Sequence, residues 1–489
     1  MHIAYLDGHR LSRALVAGAR RLQERAGRLN AINVFPVPDG DTGTNMAGTA
    51  RAMALRLEAL PAGSLGFGAA MRAAADSALR GARGNSGAIL AQFLHGLAEE
   101  LEGEARIGTR RFAEAARSAA RRARAALSKP REGTIVTVLT DWAEAAHRVA
   151  AKTDDFLVLL KAALEEARAS LARTPDLLPE LKKAGVVDAG AEGFVHILEG
   201  IWAYVSGGRL RDRARAGRSG AARHAERPAD EALPGAGSER AHVADGLAES
   251  LSAAEDSVLP GLSDAAADGG HEESAFRYCT ECLVTGEGLD LEALRAGLVE
   301  LGDSLVVAGS STLARVHLHT DRPQAAFRLL AEAGSGASAV EGQKVDDMEL
   351  QRRLSAAPRR PAAVLTDTAC DLPDALGLEL LADRAAVLVE IGGKAYLDRD
   401  GLSSDEFFGM LRADPAAPLR SSQPSHAAFS RKLDLLLERA DEVVYVGLSA
   451  ALSGTLEGGR RAAGEGPRAG RVRVVDTRSI SVGAALVVR

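Results

Sequence analysis

Asn33-Val34-Phe35-Pro36-Val37-Pro38-Asp39-Gly40-Asp41-Thr42-Gly43-Thr44-Asn45-Met46 packs two carboxylates, two glycines, two prolines and four amide or hydroxyl side chains into fourteen residues. A hydrophobic core has no use for such a run. Asp39 and Asp41 stand two apart about Gly40. Two ionised carboxylates held ~5 Å apart at an effective dielectric of ~20 repel by roughly 3 kcal/mol. A hard cation removes that cost. Mg²⁺ suits the pattern, because it takes one or two carboxylates and completes its shell with water and substrate phosphates. Asn33 offers a further oxygen. Pro36 and Pro38 stiffen the approach, and Gly40 and Gly43 permit tight turns. The plain alternative is a solvated Asp-Gly turn between helices. It accounts for Asp-Gly-Asp alone but not for the whole stretch.

The stretch lies in a region, residues 1–207, that reads as all-α. Leu11 to Leu29 places Leu11, Leu15, Val16, Ala19 and Leu22 at helical spacing, with arginines on the other face. Met46 to Leu60, Phe67 to Leu79, Ala88 to Leu101, Arg111 to Leu127, Thr137 to Ala150, Phe156 to Leu171 and Gly190 to Val205 continue the pattern. Short gaps bearing Gly, Pro or Asn separate them. The expectation is a bundle of about eight helices.

Three further polar loops interrupt the helices. In Gly81-Ala82-Arg83-Gly84-Asn85-Ser86-Gly87 the glycines let backbone N–H groups approach an anion, Asn85 and Ser86 can donate, and the next helix aims its N-terminal dipole there. Lys129-Pro130-Arg131-Glu132-Gly133-Thr134 has a helix-breaking proline and a capping threonine; an ordinary helix start explains it equally. In Gly185-Val186-Val187-Asp188-Ala189-Gly190-Ala191-Glu192-Gly193, Asp188 reads as a helix cap or as an acceptor for a nucleotide. The GxxxxGK[ST] motif and the protein-kinase signature set do not occur. Phosphoryl transfer asks mainly for positioning and charge neutralisation, which these loops can supply.

The acidic stretch resembles the nucleotide and metal loop of the dihydroxyacetone-kinase-like (DhaL, or Dak2) domain. Its Asn-Val-Phe-Pro-Val-Pro lead is similar to the kinase subunit of bacterial fatty acid kinase. The resemblance implies ATP bound through Mg²⁺, with Asn33, Asp39 and Asp41 on the metal and the two aspartates catalytic. It implies Thr42, Thr44, Asn45, Gly84, Asn85, Ser86, Gly87, Thr134 and Asp188 around the nucleotide. The last loop is similar to the family's Val-Val-Asp-Ser-Gly-Gly pattern, with Ala189 and Ala191 as departures.

With 489 residues, 26% of them charged and 46% apolar, the chain has the composition of a soluble protein of two to four domains. Its net charge of −6 gives no reason to expect nucleic acid. Cys279, Cys282 and Cys370 do not make a disulfide framework. With no apolar leader and no run of 18 apolar residues, a cytoplasmic protein without a transmembrane segment is expected. Residues 208–275 turn basic, then acidic and rich in Gly, Ser and Ala, and read as a disordered linker with a transient helix near Ala244 to Leu259. A solvated tether explains the basic half better than contact with an anionic membrane.

Order returns at Phe276. Phe276 to Val284, Ser304 to Ala308 and Leu313 to His319 read as strands, and Leu291 to Leu301 and Gln324 to Ala333 as helices. The predicted unit, residues 276–342, is a small α/β sandwich. His317 and His319 lie two apart on a strand and so share a face. Cys279, on another strand, can meet them in a zinc-type ligand set with one position open. Cys282, three residues on, points away from Cys279. Two histidines capping a strand end beside a buried thiol remain the alternative. Tyr278-Cys279-Thr280-Glu281, Gly302-Asp303-Ser304-Leu305 and Val316-His317-Leu318-His319-Thr320 resemble the middle domain of the fatty acid kinase subunit. That resemblance implies Zn²⁺ on Cys279, His317 and His319, and a part for His317 in handling substrate.

A second linker is expected from Gln343 to Pro361. Beyond it, residues 362–489 alternate apolar strands (Ala362 to Thr368, Ala385 to Ile391, Glu442 to Leu448, Val472 to Asp476) with helices (Ser404 to Leu411, His426 to Arg439, Thr455 to Ala463), predicting a parallel α/β sheet. Polar clusters fall at strand ends, where such folds bind ligands: Thr366-Asp367-Thr368, Ser421-Ser422-Gln423-Pro424-Ser425, and Ser449 with Ser453-Gly454-Thr455. Together they resemble a DegV-type fatty-acid-binding protein, with Thr368, Ser421 and Ala450 as departures. A fatty acid carboxylate on Thr368, Ser421, Ser422, Ser449 and Ser453 is implied. The family's second subdomain is not matched before Arg489, so a fragment or an incomplete lipid site is expected.

The combined expectation is a multi-domain protein: an all-α DhaL-like bundle, a small α/β middle domain and the first subdomain of a DegV-like α/β domain. It would use ATP to phosphorylate the carboxylate of a bound fatty acid. A separate DegV-type acyl carrier protein and a homodimer stay open as partners. Two rivals are a kinase for a small hydroxyketone such as dihydroxyacetone, marked by turnover with that substrate and not with oleate, and a catalytically idle lipid sensor, marked by no ATP hydrolysis with any acid.

Overall fold

Alanine sets the spacing of the N-terminal helices. Ala19, Ala74, Ala75, Ala113, Ala116 and Ala163 are fully buried, so helix axes approach closely at little cost in side-chain entropy. The computed structural model describes residues 2–35, 40–61, 65–207, 276–334 and 338–488. The expected linker 208–275, its transient helix, Asp39 and the two loop prolines lie outside the described residues.

Within residues 2–207 eight long helices are joined by two short ones: α1 (Gly8–Gln23), α2 (Ala26–Ala31), α3 (Thr42–Glu58), α4 (Phe67–Gly81), α5 (Gly84–Glu100), α6 (Thr109–Ala125), α7 (Ile135–Ala150), α8 (Phe156–Leu177), α9 (Pro179–Ala184) and α10 (Ala189–Ser206). Phe93, Trp142 and Phe194 fill the middle in mutual edge-to-face contacts at 5.6–6.0 Å, a geometry their quadrupoles favour. A two-residue pairing of β1 (Leu6–Asp7) with β2 (Arg106–Ile107) ties down the start of the bundle. The helix expected from Leu11 to Leu29 is broken: the chain turns at Glu24 and Arg25, and α2 then brings Leu29 into the core.

The middle domain is a four-stranded antiparallel sheet of β3 (Tyr278–Thr285), β4 (Gly302–Gly309), β5 (Leu313–Thr320) and β6 (Ala339–Asp347), in the order β4-β5-β3-β6. Side chains alternate between its faces. Cys282, Val284, Val316 and Leu318 pack with Leu298 and Phe327 of the helices Leu291–Val299 and Pro323–Ala331. Val306, Ala308 and Leu313 join the core of the bundle. Backbone bonds Val307 N–H to Ala126 O (3.2 Å) and Ser128 N–H to Leu305 O (3.2 Å) stitch β4 to the end of α6.

The expected linker from Gln343 to Pro361 is not a linker. Its first residues complete β6, which pairs with β3, and Met348–Ala356 is a helix capped by Asp347, whose side chain accepts from Leu350 N–H. Val345, Met348, Leu350 and Leu354 are buried; four apolar anchors among many charges suffice to fold it.

In the C-terminal part β7 (Arg360–Asp367), β8 (Ala382–Ala385), β12 (Ala440–Gly447) and β13 (Val472–Asp476) form a parallel sheet in the order β13-β12-β7-β8. The strand expected from Ala385 to Ile391 does not continue it. β9 (Leu388–Ile391) leaves for a separate antiparallel sheet with β10 (Lys394–Leu397) and β11 (Leu419–Ser422). Gly392 and Gly393, both at positive φ, close a two-residue hairpin between β9 and β10, a turn open to few other residues.

Candidate functional site at the meeting of three domains

Polar loops gather at one end of the bundle. Thr42, Thr44 and Asn45 lie in the first turn of α3, not in a loop before a helix at Met46. Likewise Gly84, Asn85, Ser86 and Gly87 form the first turn of α5. Asp41 sits at the N-cap position of α3 with its side chain making no cap bond. The buried Asn33 side-chain oxygen accepts from Thr42 Oγ1. Asn30 grips Thr44 twice, accepting its N–H at 3.0 Å and donating to its Oγ1 at 2.9 Å.

Glycines let these turns touch. A Cβ on Gly84, at φ +57°, would fall 2.7 Å from Asn45 Nδ2, and one on Gly190 would fall 2.9 Å from Ser86 Oγ. The starts of α3, α5 and α10 therefore abut. Asn85 Oδ1 is buried with no hydrogen-bond partner, an acceptor aimed at nothing the described residues provide. Asp188 caps α10, its carboxylate accepting from Ala191 N–H at 2.7 Å, and burial pushes its carboxyl up to about 7. Thr134 occupies the N-cap position of α7 but does not cap it. Its hydroxyl donates to Arg131 O at 2.8 Å, while Gly133 N–H finds Thr137 Oγ1. Arg131 lies over the Phe35 ring at 5.6 Å, so this loop borders the acidic stretch.

The polar face of the middle-domain sheet meets that end. Strand register sets out two cross-sheet rows: Asp303, His319, Cys279 and Asp346, and next to it His317, Glu281 and Lys344. The donor atoms of Cys279, His317 and His319 lie within 4.8 Å of one another. Tetrahedral zinc with Zn–S ~2.3 Å and Zn–N ~2.0 Å separates its donors by ~3.3–3.6 Å, and a thiol with two imidazoles is a fitting set. His317 Nδ1 is 3.2 Å from Glu281 Oε1, and its Nε2 is 3.3 Å from His319 Nε2. A carboxylate behind the ring in this way orients an imidazole for a cation. Cys282 turns into the opposite, apolar face.

Glu281 is 1% exposed and is the hub. Its Oε1 accepts the backbone N–H of Gly84 at 3.0 Å, and its Oε2 meets Arg315 at 2.7 Å. Burial alone would raise this carboxyl; Lys344, His317 and Arg315 outweigh it and hold the group well below the usual range. Burial, with the Glu281 carboxylate beside it, pushes the Cys279 thiol up, and burial raises the Glu438 carboxyl. Bundle and middle domain meet at the bond from Gly84 to Glu281, and the helix His426–Arg439 reaches the same sheet through Arg431 and Lys432 at Asp346.

In the C-terminal part, Thr368 is buried and its Oγ1 accepts from Val387 N–H at 3.1 Å. Ser449 Oγ accepts from Ala451 N–H, and Ser453 shares a 2.9 Å bond with Thr455. Ser421 and Ser422 are the last two residues of β11, exposed and paired with Val389 and Leu388, so the strand they end belongs to the separate antiparallel sheet and not to the parallel one. Ser425 alone of that run starts a helix, capping Ala428.

Family models match three consecutive segments: the DAK2 domain over residues 36–203, the FakA-like middle domain of fatty acid kinase over 275–355 and the DegV family over 361–489. The chain joins these three domains in one polypeptide. Protein YloV of Bacillus subtilis is 35% identical over 337 residues, covering 66% of this chain and 53% of that protein. An uncharacterized protein of Staphylococcus saprophyticus is 32% identical, covering 72% and 57% respectively. The chain thus spans little more than half the length of these relatives. A fatty-acid-binding DegV family protein from Thermus thermophilus is similar at 35% identity over 26% of this chain and 45% of that one, with a TM-score of 0.25.

Sequence reasoning passed over Glu281 of the middle domain, together with Arg315, Lys344 and Asp346. The signal was present. Glu281 follows Cys279 by two, Arg315 precedes His317 by two, and a strand puts both on the ligand face. Lys344 and Asp346 were hidden by taking β6 for a linker.

Proposed function

We propose that the chain is an ATP-dependent phosphotransferase of the fatty acid kinase type, which phosphorylates the carboxylate of a fatty acid presented by a DegV-type carrier. The observation that supports it best is that Glu281 of the middle domain accepts the Gly84 N–H of the α5 first turn, while Asp346 on the same sheet face receives Arg431 and Lys432 of the DegV-domain helix. The polyphosphate would lie against the Gly84–Gly87 turn, whose N–H groups and helix dipole favour anions, with Thr42, Thr44, Asn45 and Asp188 about it. Asn33, Asp39 and Asp41 would hold Mg²⁺, which neutralises phosphate charge when bound. Cys279, His317 and His319 would hold Zn²⁺, with His317 next to the acyl substrate. Thr368, Ser449 and Ser453 would face the acyl carboxylate; exposed Ser421 and Ser422 are less suited.

The reaction needs no strong base. A carboxylate is ionised at pH 7; its oxygen bonds to the terminal phosphorus as the bridging P–O bond breaks, giving acyl phosphate and ADP. The residues' task is in-line placement and exclusion of water. Seating the carrier domain in the same chain raises its effective concentration near the bundle. Acyl phosphate formed from ATP and oleate, trapped with hydroxylamine, tests the proposal. Product is expected with wild type and lost with Asp41→Ala; equal product from both would remove the acidic stretch from the reaction. Turnover of dihydroxyacetone in place of oleate would favour the hydroxyketone reading.

A further inference from the structure

An unbroken chain of charged groups, most of them buried, crosses all three domains. From Gly84 N–H it passes to Glu281 (3.0 Å), on to Lys344 Nζ (3.8 Å) and Asp346 (3.0 Å), and then to Arg431 and Lys432 (3.5 Å) of the helix His426–Arg439; Lys432 ends on Asp383 at 3.0 Å. Glu281, Asp346, Lys432 and Asp383 are each 6% exposed or less. Each link is shared. Glu281 Oε1 serves Gly84, His317 and Lys344, and Asp346 serves Lys344 on its own strand and Arg431 and Lys432 on the other domain. Burial raises the Asp346 carboxyl, but Arg431, Lys344 and Lys432 together hold it below its ordinary value.

Buried ion pairs are a poor means of adding stability, because desolvation offsets much of the attraction; their best-attested use is fixing register or switching between arrangements. A hydrophobic contact would have joined these domains at less cost. We infer that Asp346 is the seat for the helix His426–Arg439 and that Glu281 and Lys344 transmit occupancy of the seat to the Gly84 turn. Asp346 and Arg431 are positioning residues, and the ligand class the seat accepts is a helix bearing adjacent Arg and Lys. With the helix in place, Asp346 divides its charge between Lys344 and the Arg431-Lys432 pair. Lys344 is then left to Glu281, which holds Gly84 N–H. With the helix withdrawn, Asp346 claims Lys344 alone, and Glu281 loses the neighbour that fixes it.

The inference rests on reading the Gly84 turn as phosphate-contacting, yet its test requires neither ATP nor acyl substrate. Hydrogen–deuterium exchange on the full chain would follow peptides 84–90 and 426–439. Arg431→Met and Asp346→Asn are expected to speed exchange in both peptides by about fivefold or more, the lower end of ordinary site–site coupling. Arg431→Lys, which keeps the charge, should leave both close to wild type. Faster exchange in 426–439 alone would overturn the transmission, and no change in either would overturn the seat. Should Asp346→Asn fail to fold, Arg431→Met decides, since that side chain is 34% exposed and its loss leaves the middle domain intact. Failure of the kinase reading would instead appear only in the hydroxylamine assay.

Discussion

Glu281 accepts the backbone N–H of Gly84 at 3.0 Å across 197 residues of sequence, so a middle-domain carboxylate occupies the start of a bundle helix. Arg315 and Lys344 face the same group. Glu281→Ala takes from the buried Arg315 its carboxylate, while Lys344 keeps Asp346, and should cost ~3–5 kcal/mol. Glu281→Gln keeps the acceptor and should cost less. Urea midpoints of the two variants check this; equal, small losses would show that the charge is not needed there.

Asp188 gives stability a pH dependence. Its carboxyl is raised from 3.8 to about 7 by burial, so folding favours the protonated form. The contribution is fully present below about 3.8, fades as pH rises towards 7 and is gone above it. Asp188→Asn, which retains an acceptor for Ala191, should flatten that limb. Melting temperatures of both proteins from pH 5 to 8 test it, and parallel curves would refute the assignment.

Gly43 is the contact point of α2 and α3. A Cβ there would lie 2.1 Å from Ala26 O and 2.7 Å from Asn30 Oδ1, the oxygen that holds Thr44 N–H. Gly43→Ala should cost ~1–3 kcal/mol by overpacking and disturb the turn bearing Asp41. Chemical denaturation with MgATP titration reads both effects; a variant as stable as wild type would mean α2 is not seated on α3.

Equilibrium dialysis against Zn²⁺ tests the Cys279, His317 and His319 set. One ion per chain is expected, lost in Cys279→Ser and in His319→Ala. Glu281→Gln should weaken affinity by roughly 10–100-fold, as carboxylates behind a ligating ring do. Undiminished binding in Cys279→Ser would exclude the thiol as a ligand.

Much of this was legible in the residues. Helical spacing exposed the long bundle helices, and the period of two on β5 put His317 and His319 together with Cys279. Less legible were elements held by few anchors. The break at Glu24 carries no Gly or Pro; it arises because Leu29 must reach the core. β6 and the helix after it bury only Val345, Met348, Leu350 and Leu354 among many charges, and one of those charges, Asp346, is buried against cations rather than solvated. Hydropathy has no means of separating a solvated Asp from Asp346. Glu281 escaped for the same reason: its role is set by Gly84, a residue that only tertiary packing brings near.

The run from β6 into the helix Met348–Ala356 has a mechanical consequence. Val345 is planted in the middle-domain core and Leu350 and Leu354 in the C-terminal one, and only Ala357 to Arg359 separate that helix from β7. The two domains share a rivet rather than a swivel. A carrier mounted this way is rooted at one edge rather than swinging as a tethered arm would, so withdrawal of the helix His426–Arg439 from Asp346 is a short pivot about that root, and excising residues 343–356 would take the end of an outer strand from one fold and a packed helix from the other.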